Sequence, residues 1–401
     1  MRIGIDARTI LNPELGEAIG IGHYTFMLIR HLLKMDADFK SGKNEYVLFF
    51  DNRVRKKDVE RFKIKGVRIV NFPFSSYRRY LPGVYSEILV NAMFSREKLD
   101  ILHSPGGSIP LSYRGKTAVT ESGIGIRKFS DMFPPYQRLS ASFAKSILAK
   151  TNHIIVNSEA AKKDTIDCFG IGAEKITVVY KGVDQRFFDK VGQKEIARVK
   201  EKYKIKGKYF LFLSTIKPIN NLVGLVRSFA GARGKFLKDA RDTHFVSEND
   251  YSDCQLVLAG KEGWLSAEEV AETAKELQIE KEIILTGYVP PEDLNGLFQG
   301  ADLFLFPPFY EEFGAPALEA MASGIPVIAS KISSLQEILG GGAVFVDPNN
   351  VEAWTREITS LVNNKSRQSE LVRQGAAQAI KYTWEKTAEE TLAVYRRAYQ
   401  S

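Results

Sequence analysis

"EIILTGYVPPEDLNGLFQGADLFLFPPFYEEFGAPALEAMASGIPVIAS", residues 282–330, holds three short apolar runs separated by two helical stretches. The runs "EIILTG", "LFLFP" and "PVIAS" lack period-2 alternation, as parallel strands covered on both faces do. Strand, helix, strand, helix, strand is the unit of a doubly wound α/β domain. The same alternation extends outward through both halves of the chain. In the first half the strand candidates are "RIGID", "YVLFF", "VRIVNF", "DILHS", "TAVT", "HIIVNS" and "ITVVY". In the second they continue with "YFLFLS", "QLVLAG" and, after residue 330, "AVFVD".

A chain of 401 residues exceeds one ordinary core and suggests two domains. The polar stretch at 183–208 separates the two series of strands and reads as a linker, and residues 233–253 read as a surface insertion. Boundaries are expected at 1–200, 201–384 and 385–401, the last being an amphipathic helix that packs back. "SAEE", with Ser266 and Glu269, is a capping-box pattern, and Gly170 closes the helix of "AAKKDTIDCFG". The net charge of +8 favours anionic partners such as phosphorylated small molecules or acidic lipid head groups. Nucleic acid has only that charge in its favour, because no aromatic-basic module accompanies it. Cys168 and Cys254 form no metal or redox spacing, so a reducing, cytoplasmic compartment is expected. The opening "MRIGIDARTI" reads directly as a strand with no leader, and no apolar run reaches membrane-spanning length.

The quoted stretch also carries the chemistry. In open α/β sheets, ligands bind beyond the carboxyl ends of strands, where helix N-termini gather. Pro316 suits a first helical turn, and Gly314 with the following amides can point at an anion. Glu311, just before the helix, could meet hydroxyls or developing positive charge. Glu319, inside it, could accept hydrogen bonds from a sugar ring. The plainer alternative is that both are solvated helix-end carboxylates. Gly20 and Gly22, in "IGIGHYT" before a helix, are either a tight turn or a close approach for phosphate. Asp36 and Asp38 read as a solvated turn, and no His/Cys cluster suggests a metal. The basic run "RVRKKDVERFKIK" reads as a solvated face, with membrane attraction the alternative.

"YEEFGAPALEAMASGIPVIAS" closely resembles the Glu–seven residues–Glu signature of retaining glycosyltransferases of family 4. "GIGHYT", "DILHSPG", "ITVVYKGVDQRF", "LVLAGKEGW", "ILTGYVPPEDLNGLFQGADLFLFPP", "SSLQEI" and "WEKTAEETLAVYRRA" resemble that family in order and spacing, over nearly the whole chain. The subgroup it most resembles is bacterial mannosyltransferases of surface polysaccharide synthesis. The resemblance implies a GT-B fold: two doubly wound, Rossmann-like domains facing a central crevice, with a C-terminal helix crossing back. It implies metal-independent transfer from a nucleotide-diphosphate sugar, GDP-mannose being favoured, to a saccharide or lipid-linked acceptor at the inner membrane face. No cofactor is implied, and membrane contact would be peripheral. Carried over residue by residue, Glu311 lies near the transferred sugar and Glu319 holds the nucleotide ribose. Gly20, Gly22, Thr215, Lys217, Lys261, Tyr288, Val289, Phe313, Gly314, Ala315, Pro316 and Leu318 complete the donor side, and His23 and His103 lie on the acceptor side.

The chain departs from the family at three places. Where the family carries a His-Asp pair, this sequence reads "AVTESGIG", with Ser122 and Gly123 at those positions and Glu121 adjacent as a substitute carboxylate. Where the family has Arg and Lys to clamp the diphosphate, "STIKPINN" supplies Ile219 and Asn220, with Lys217 two residues upstream. Lys181 replaces an Asn. These departures raise a second expectation, a catalytically silent protein that binds a sugar, a nucleotide or a partner glycosyltransferase.

Overall fold

The computed structural model describes residues 1–10, 20–38, 44–54, 59–72, 85–242, 251–263 and 266–400. The chain divides into two compact units, residues 1–182 with 383–401, and residues 183–382.

The first unit is built on a seven-stranded sheet. Its strands are β1 (Arg2–Asp6), β2 (Glu45–Asp51), β3 (Val67–Phe72), β4 (Ile101–Ser104), β5 (Thr117–Thr120), β6 (His153–Val156) and β7 (Ile176–Val178). Their spatial order is β3-β2-β1-β4-β5-β6-β7, and every pair is parallel. The order reverses between β1, which pairs through Ile3 with Ile101, and β4. Every residue of β4, β5 and β6 is buried, which is why these strands read as unbroken apolar runs. The helix Trp384–Gln400 belongs to this unit, with Trp384, Ala388, Leu392, Val394, Tyr395 and Ala398 in its core. Gly182 lies so close that a Cβ there would sit 2.3 Å from the Trp384 nitrogen. Glycine is the residue that permits this approach.

The second unit has a six-stranded parallel sheet, order β10-β9-β8-β11-β12-β13. Its strands are β8 (Tyr209–Leu213), β9 (Gln255–Ala259), β10 (Ile283–Gly287), β11 (Leu303–Phe306), β12 (Val327–Ser330) and β13 (Ala343–Val346). The reversal falls between β8 and β11. All thirteen apolar runs read from the sequence are strands.

Two readings change. The 233–253 segment is not an insertion from its start: a single helix runs Leu222–Asp242, and Tyr251, 1% exposed, stacks on Phe210. An aromatic return anchor of this kind is apolar burial that the surrounding polar residues conceal in sequence. Asp36 lies in the helix Ile21–Asp38 and not in a turn, and its carboxylate accepts both Asn44 amide contacts, at 3.1 and 3.3 Å. Within 183–208, Gln193–Lys202 is a helix. Its Arg198 and Lys202, with Tyr203, hold the buried carboxylate of Asp293 at 2.6, 2.5 and 2.7 Å. Burial alone would raise that carboxyl, but the three donors outweigh it and keep its pKa below the ordinary value.

Candidate active site

In the second unit, the loops after β8, β9, β10 and β11 all leave carboxyl ends. The loop after β8 forms a short 3-10 turn at Pro218–Asn220, closed by Asn221 at φ 56°. Asn220 turns inward, donating to the Thr215 carbonyl at 2.6 Å and the Ser214 hydroxyl at 3.2 Å. Ile219 and Asn220 are 3% and 1% exposed. They are therefore parts of the loop's interior, and a cation at either would be buried. Lys217 stays partly exposed in the same loop. The loop after β9 docks beside it: the Ile216 amide donates to the Lys261 carbonyl at 2.9 Å, and Gly263 donates back to Ile216 at 2.8 Å. This pairing sets the two lysine-bearing loops side by side. Gly260 allows it, since with φ 144° a Cβ would lie 1.8 Å from the Ser214 carbonyl oxygen. The loop after β10 brings Tyr288 and the buried Val289 next in line, with Gly260 donating to the Gly287 carbonyl.

The loop after β11 carries the Gly-Ala-Pro turn. Gly314, at φ 85°, caps the helix Ala315–Ala322, with Pro316 in its first turn. Phe313, Ala317 and Leu318 are buried and seat the turn, Phe313 edge-on to Tyr382. The Glu311 carboxylate bends back over this turn. One of its oxygens accepts from the amides of Glu312, Phe313 and Gly314 at 3.2, 3.3 and 3.3 Å. The Ser334 hydroxyl fixes the Glu311 carbonyl. Three convergent amides ahead of a helix make an anion seat, and here the chain's own carboxylate sits in it.

Glu319 stands inside that helix, partly exposed. Desolvation pushes its pKa up to about 7, Arg186 opposing and Asp184 adding to the rise. These two come from the short 3-10 turn Gln185–Phe188, which holds Arg186 and which Asp184 caps, accepting from the Arg186 amide at 3.1 Å and pairing with its guanidinium at 3.5 Å. Arg186 also lies over Phe187, 4.8 Å from the ring centre. Sequence reading placed "VDQRF" in the family pattern without assigning it to Glu319. Its signal was an Asp two residues before an Arg, a local cap that holds a cation in one place.

The first unit has its own carboxyl-edge cluster. Gly20, at φ 66°, precedes the helix that starts at Ile21, so Gly22 is its second residue. His23 meets the Trp384 ring edge-on at 6.2 Å, and Lys181 lies 5.5 Å from the Tyr24 ring centre. His103 is fully buried: one ring nitrogen meets the Tyr395 hydroxyl at 2.7 Å, the other Thr120 at 2.9 Å. Burial lowers its pKa to about 3, so it is a neutral pin between β4, β5 and the C-terminal helix. Glu121 is 4% exposed and accepts from the Gly123 amide at 2.6 Å. Burial raises its pKa, with the Gly123 and Ser122 amides opposing. Ser122 is partly exposed, and Gly123 starts the short helix Ile124–Lys128. Sequence reading missed Arg8. Its guanidinium is bonded twice to the buried Asp6, at 2.8 and 2.6 Å, and lies over Phe72 and Phe94, 4.7 and 5.5 Å from the ring centres.

Comparison with known proteins bears on the family and the fold. Residues 193–378 match the family "Glycosyl transferases group 1", and residues 19–187 match "Glycosyltransferase Family 4". The O-antigen chain mannosyltransferase B of Escherichia coli is 28% identical over 244 residues, covering 61% of this chain and 60% of that protein. A D-inositol 3-phosphate glycosyltransferase of Mycobacterium marinum is 26% identical over 429 residues, covering 99% and 85%. The matched region spans 60%, 61% and 29% of the first relatives' own lengths. Among solved structures, sucrose-phosphate synthase of Thermosynechococcus elongatus superposes with TM-score 0.74 at 18% identity, covering 100% of this chain and 99% of that one. Anabaena Alr3699/HepE, solved in complex with UDP and glucose, gives 0.70 at 16%, covering 98% and 99%. These likenesses carry the fold.

Proposed function

Because the chain belongs to the glycosyltransferases of group 1 and family 4 and has the GT-B fold, we propose that it moves a sugar, mannose favoured, from a nucleotide-diphosphate sugar to a saccharide or lipid-linked acceptor. In this reading the transfer proceeds with retention and without a metal. The second unit takes the donor and the first the acceptor, and the enzyme works in the cytoplasm, peripheral to the membrane.

The observation that carries the reading is the Glu311–Glu319 stretch. Sugar transfer develops positive charge at the anomeric carbon and negative charge on the departing diphosphate. The amides of Phe313 and Gly314, with Lys217 and Lys261, are suited to the second charge. Glu311 now fills the amide seat; released by an arriving diphosphate, it is a carboxylate beside the first charge. Ribose hydroxyls donate to an ionised carboxylate, so Glu319, poised near neutrality, gains its anion when it gains those donors. The 3% and 1% exposures of Ile219 and Asn220, with Ser122 in place of the family histidine, favour a second reading, a protein that binds nucleotide sugar without turning it over.

A thermal-shift screen of nucleotides and nucleotide sugars tests donor binding. A ligand bound only by the folded chain, at about a hundred times its Kd, adds about 2.7 kcal/mol. Guanosine or uridine diphosphate should raise the midpoint, and Glu319→Ala should remove the rise. No shift with any nucleotide would overturn the reading.

A further inference from the structure

We propose that the segment 127–150 on the flank of the first unit docks on an anionic lipid bilayer. The inference rests on the peripheral placement proposed above and adds the surface that makes the contact; it does not depend on which sugar is moved. After β5 the chain forms the helices Ile124–Lys128, Pro135–Ser142 and Ala144–Lys150 before it re-enters the sheet at β6. Phe133 and Leu148 are buried and hold this segment to the unit. On its outer side Tyr136, Leu139 and Phe143 are 69%, 65% and 53% exposed. Tyr136 and Leu139, three apart in the helix Pro135–Ser142, share one face, and Phe143 follows at the junction with the next helix. Water is a poor neighbour for such a stripe, and a tyrosine beside leucine and phenylalanine is the composition of an interfacial helix.

The charge around the stripe identifies the occupant. The segment holds Arg127, Lys128, Arg138, Lys145 and Lys150; its one acid, Asp131, lies 3.8 Å from Arg138, and Lys128 pairs with Asp164 at 2.6 Å, so cations remain in excess. Arg138 is tied to the Phe133 carbonyl at 2.7 Å, so its charge is held beside the stripe while remaining exposed. At the far end, a cavity of about 240 Å³ lies at the amino ends of β5 and β6, lined by Arg114, Lys150, Thr117, Thr151 and Asn152 among others. Lys150 reaches the Leu111 carbonyl at its rim, and Glu87 fixes the Leu111 and Ser112 amides at 2.9 and 2.8 Å. The exposed Ile88 sits next to Glu87 in sequence and is 59% exposed. Apolar stripe, flanking cations and a hydroxyl- and lysine-lined recess match acyl chains, anionic surface and headgroup phosphate in turn. A second copy of the chain would bring the same cations together and be repelled.

Sedimentation of the full chain with vesicles tests this, comparing phosphatidylcholine alone with phosphatidylcholine mixed with phosphatidylglycerol. The chain should pellet with the mixed vesicles and be released by high salt. The variant Tyr136→Ser, Leu139→Ser, Phe143→Ser should lower the bound fraction about tenfold or more, and Arg114→Glu with Lys145→Glu should do the same, with unchanged circular dichroism. No pelleting with the mixed vesicles, or equal pelleting of the serine variant, would overturn the proposal. So would a dimer in ultracentrifugation that the serine variant abolishes while vesicles bind neither protein. No nucleotide sugar is present, so failure here leaves the transfer reading intact.

Discussion

Glu319→Gln gives a pH-dependent test of the helix-borne carboxylate. Folding raises this carboxyl from its ordinary value of 4.5 to about 7, so the folded state binds its proton more tightly than the unfolded chain. Its protonated form is fully compatible with the fold below about pH 4.5. As pH rises from there through about 7, the unfolded chain ionises first and stability is lost. At 1.36 kcal/mol per unit, the loss above about pH 7 approaches about 3 kcal/mol, discounted for the side chain's partial exposure. Glutamine keeps the shape and removes the titration. Urea unfolding followed by tryptophan fluorescence, in which Trp354 reports on the same unit, should show the two proteins closest at about pH 5. At about pH 8 the glutamine variant should be the more stable one. Parallel profiles across that range would refute the desolvated environment from which the rise is worked, and with it the poised carboxylate. Nucleotide binding should follow the opposite trend in the wild type, tightening as Glu319 ionises.

Glu311→Ala should lower turnover more than donor affinity, because it empties the amide seat while removing charge from the reacting carbon; calorimetry beside a rate assay separates the two. Ile219→Arg with Asn220→Lys should cost about 3 kcal/mol or more without tightening diphosphate binding, since both positions are interior. A denaturation midpoint like the wild type's would show that these side chains turn outward. Gly260→Ala should destabilise the second unit and weaken nucleotide binding together, because its Cβ meets the Ser214 carbonyl at 1.8 Å. An unchanged melting temperature would contradict that close approach.

The sheets were legible because their strands are covered on both faces, so runs such as Leu303–Phe306 are apolar at every position. The Gly-Ala-Pro turn was legible for a similar reason: its glycine and proline have fixed backbone roles. Less legible was everything decided by which way a polar side chain turns. Asn220 reads in sequence as a lost cation, yet the turn closed by Asn221 points it at its own loop. The helix Gln193–Lys202 is polar almost throughout, with Val199 its buried anchor. Its docking rests on Asp293, about ninety residues away, which no local pattern reveals. Arg186 and Asp184 reach Glu319 by the same kind of long-range placement. His103, placed on the acceptor side by resemblance, has both ring nitrogens occupied by Thr120 and Tyr395, pairings that no local pattern reveals.

The account's central claim is sugar transfer from a nucleotide-diphosphate donor, and product analysis tests it most directly. Purified chain, GDP-mannose or UDP-glucose, and a saccharide acceptor should release nucleoside diphosphate and form a glycoside whose anomeric configuration, read by proton NMR, matches the donor's. Glu311→Ala should slow that release. Binding of the nucleotide sugar with no diphosphate released over prolonged incubation would contradict the claim and leave a protein that holds its donor without using it.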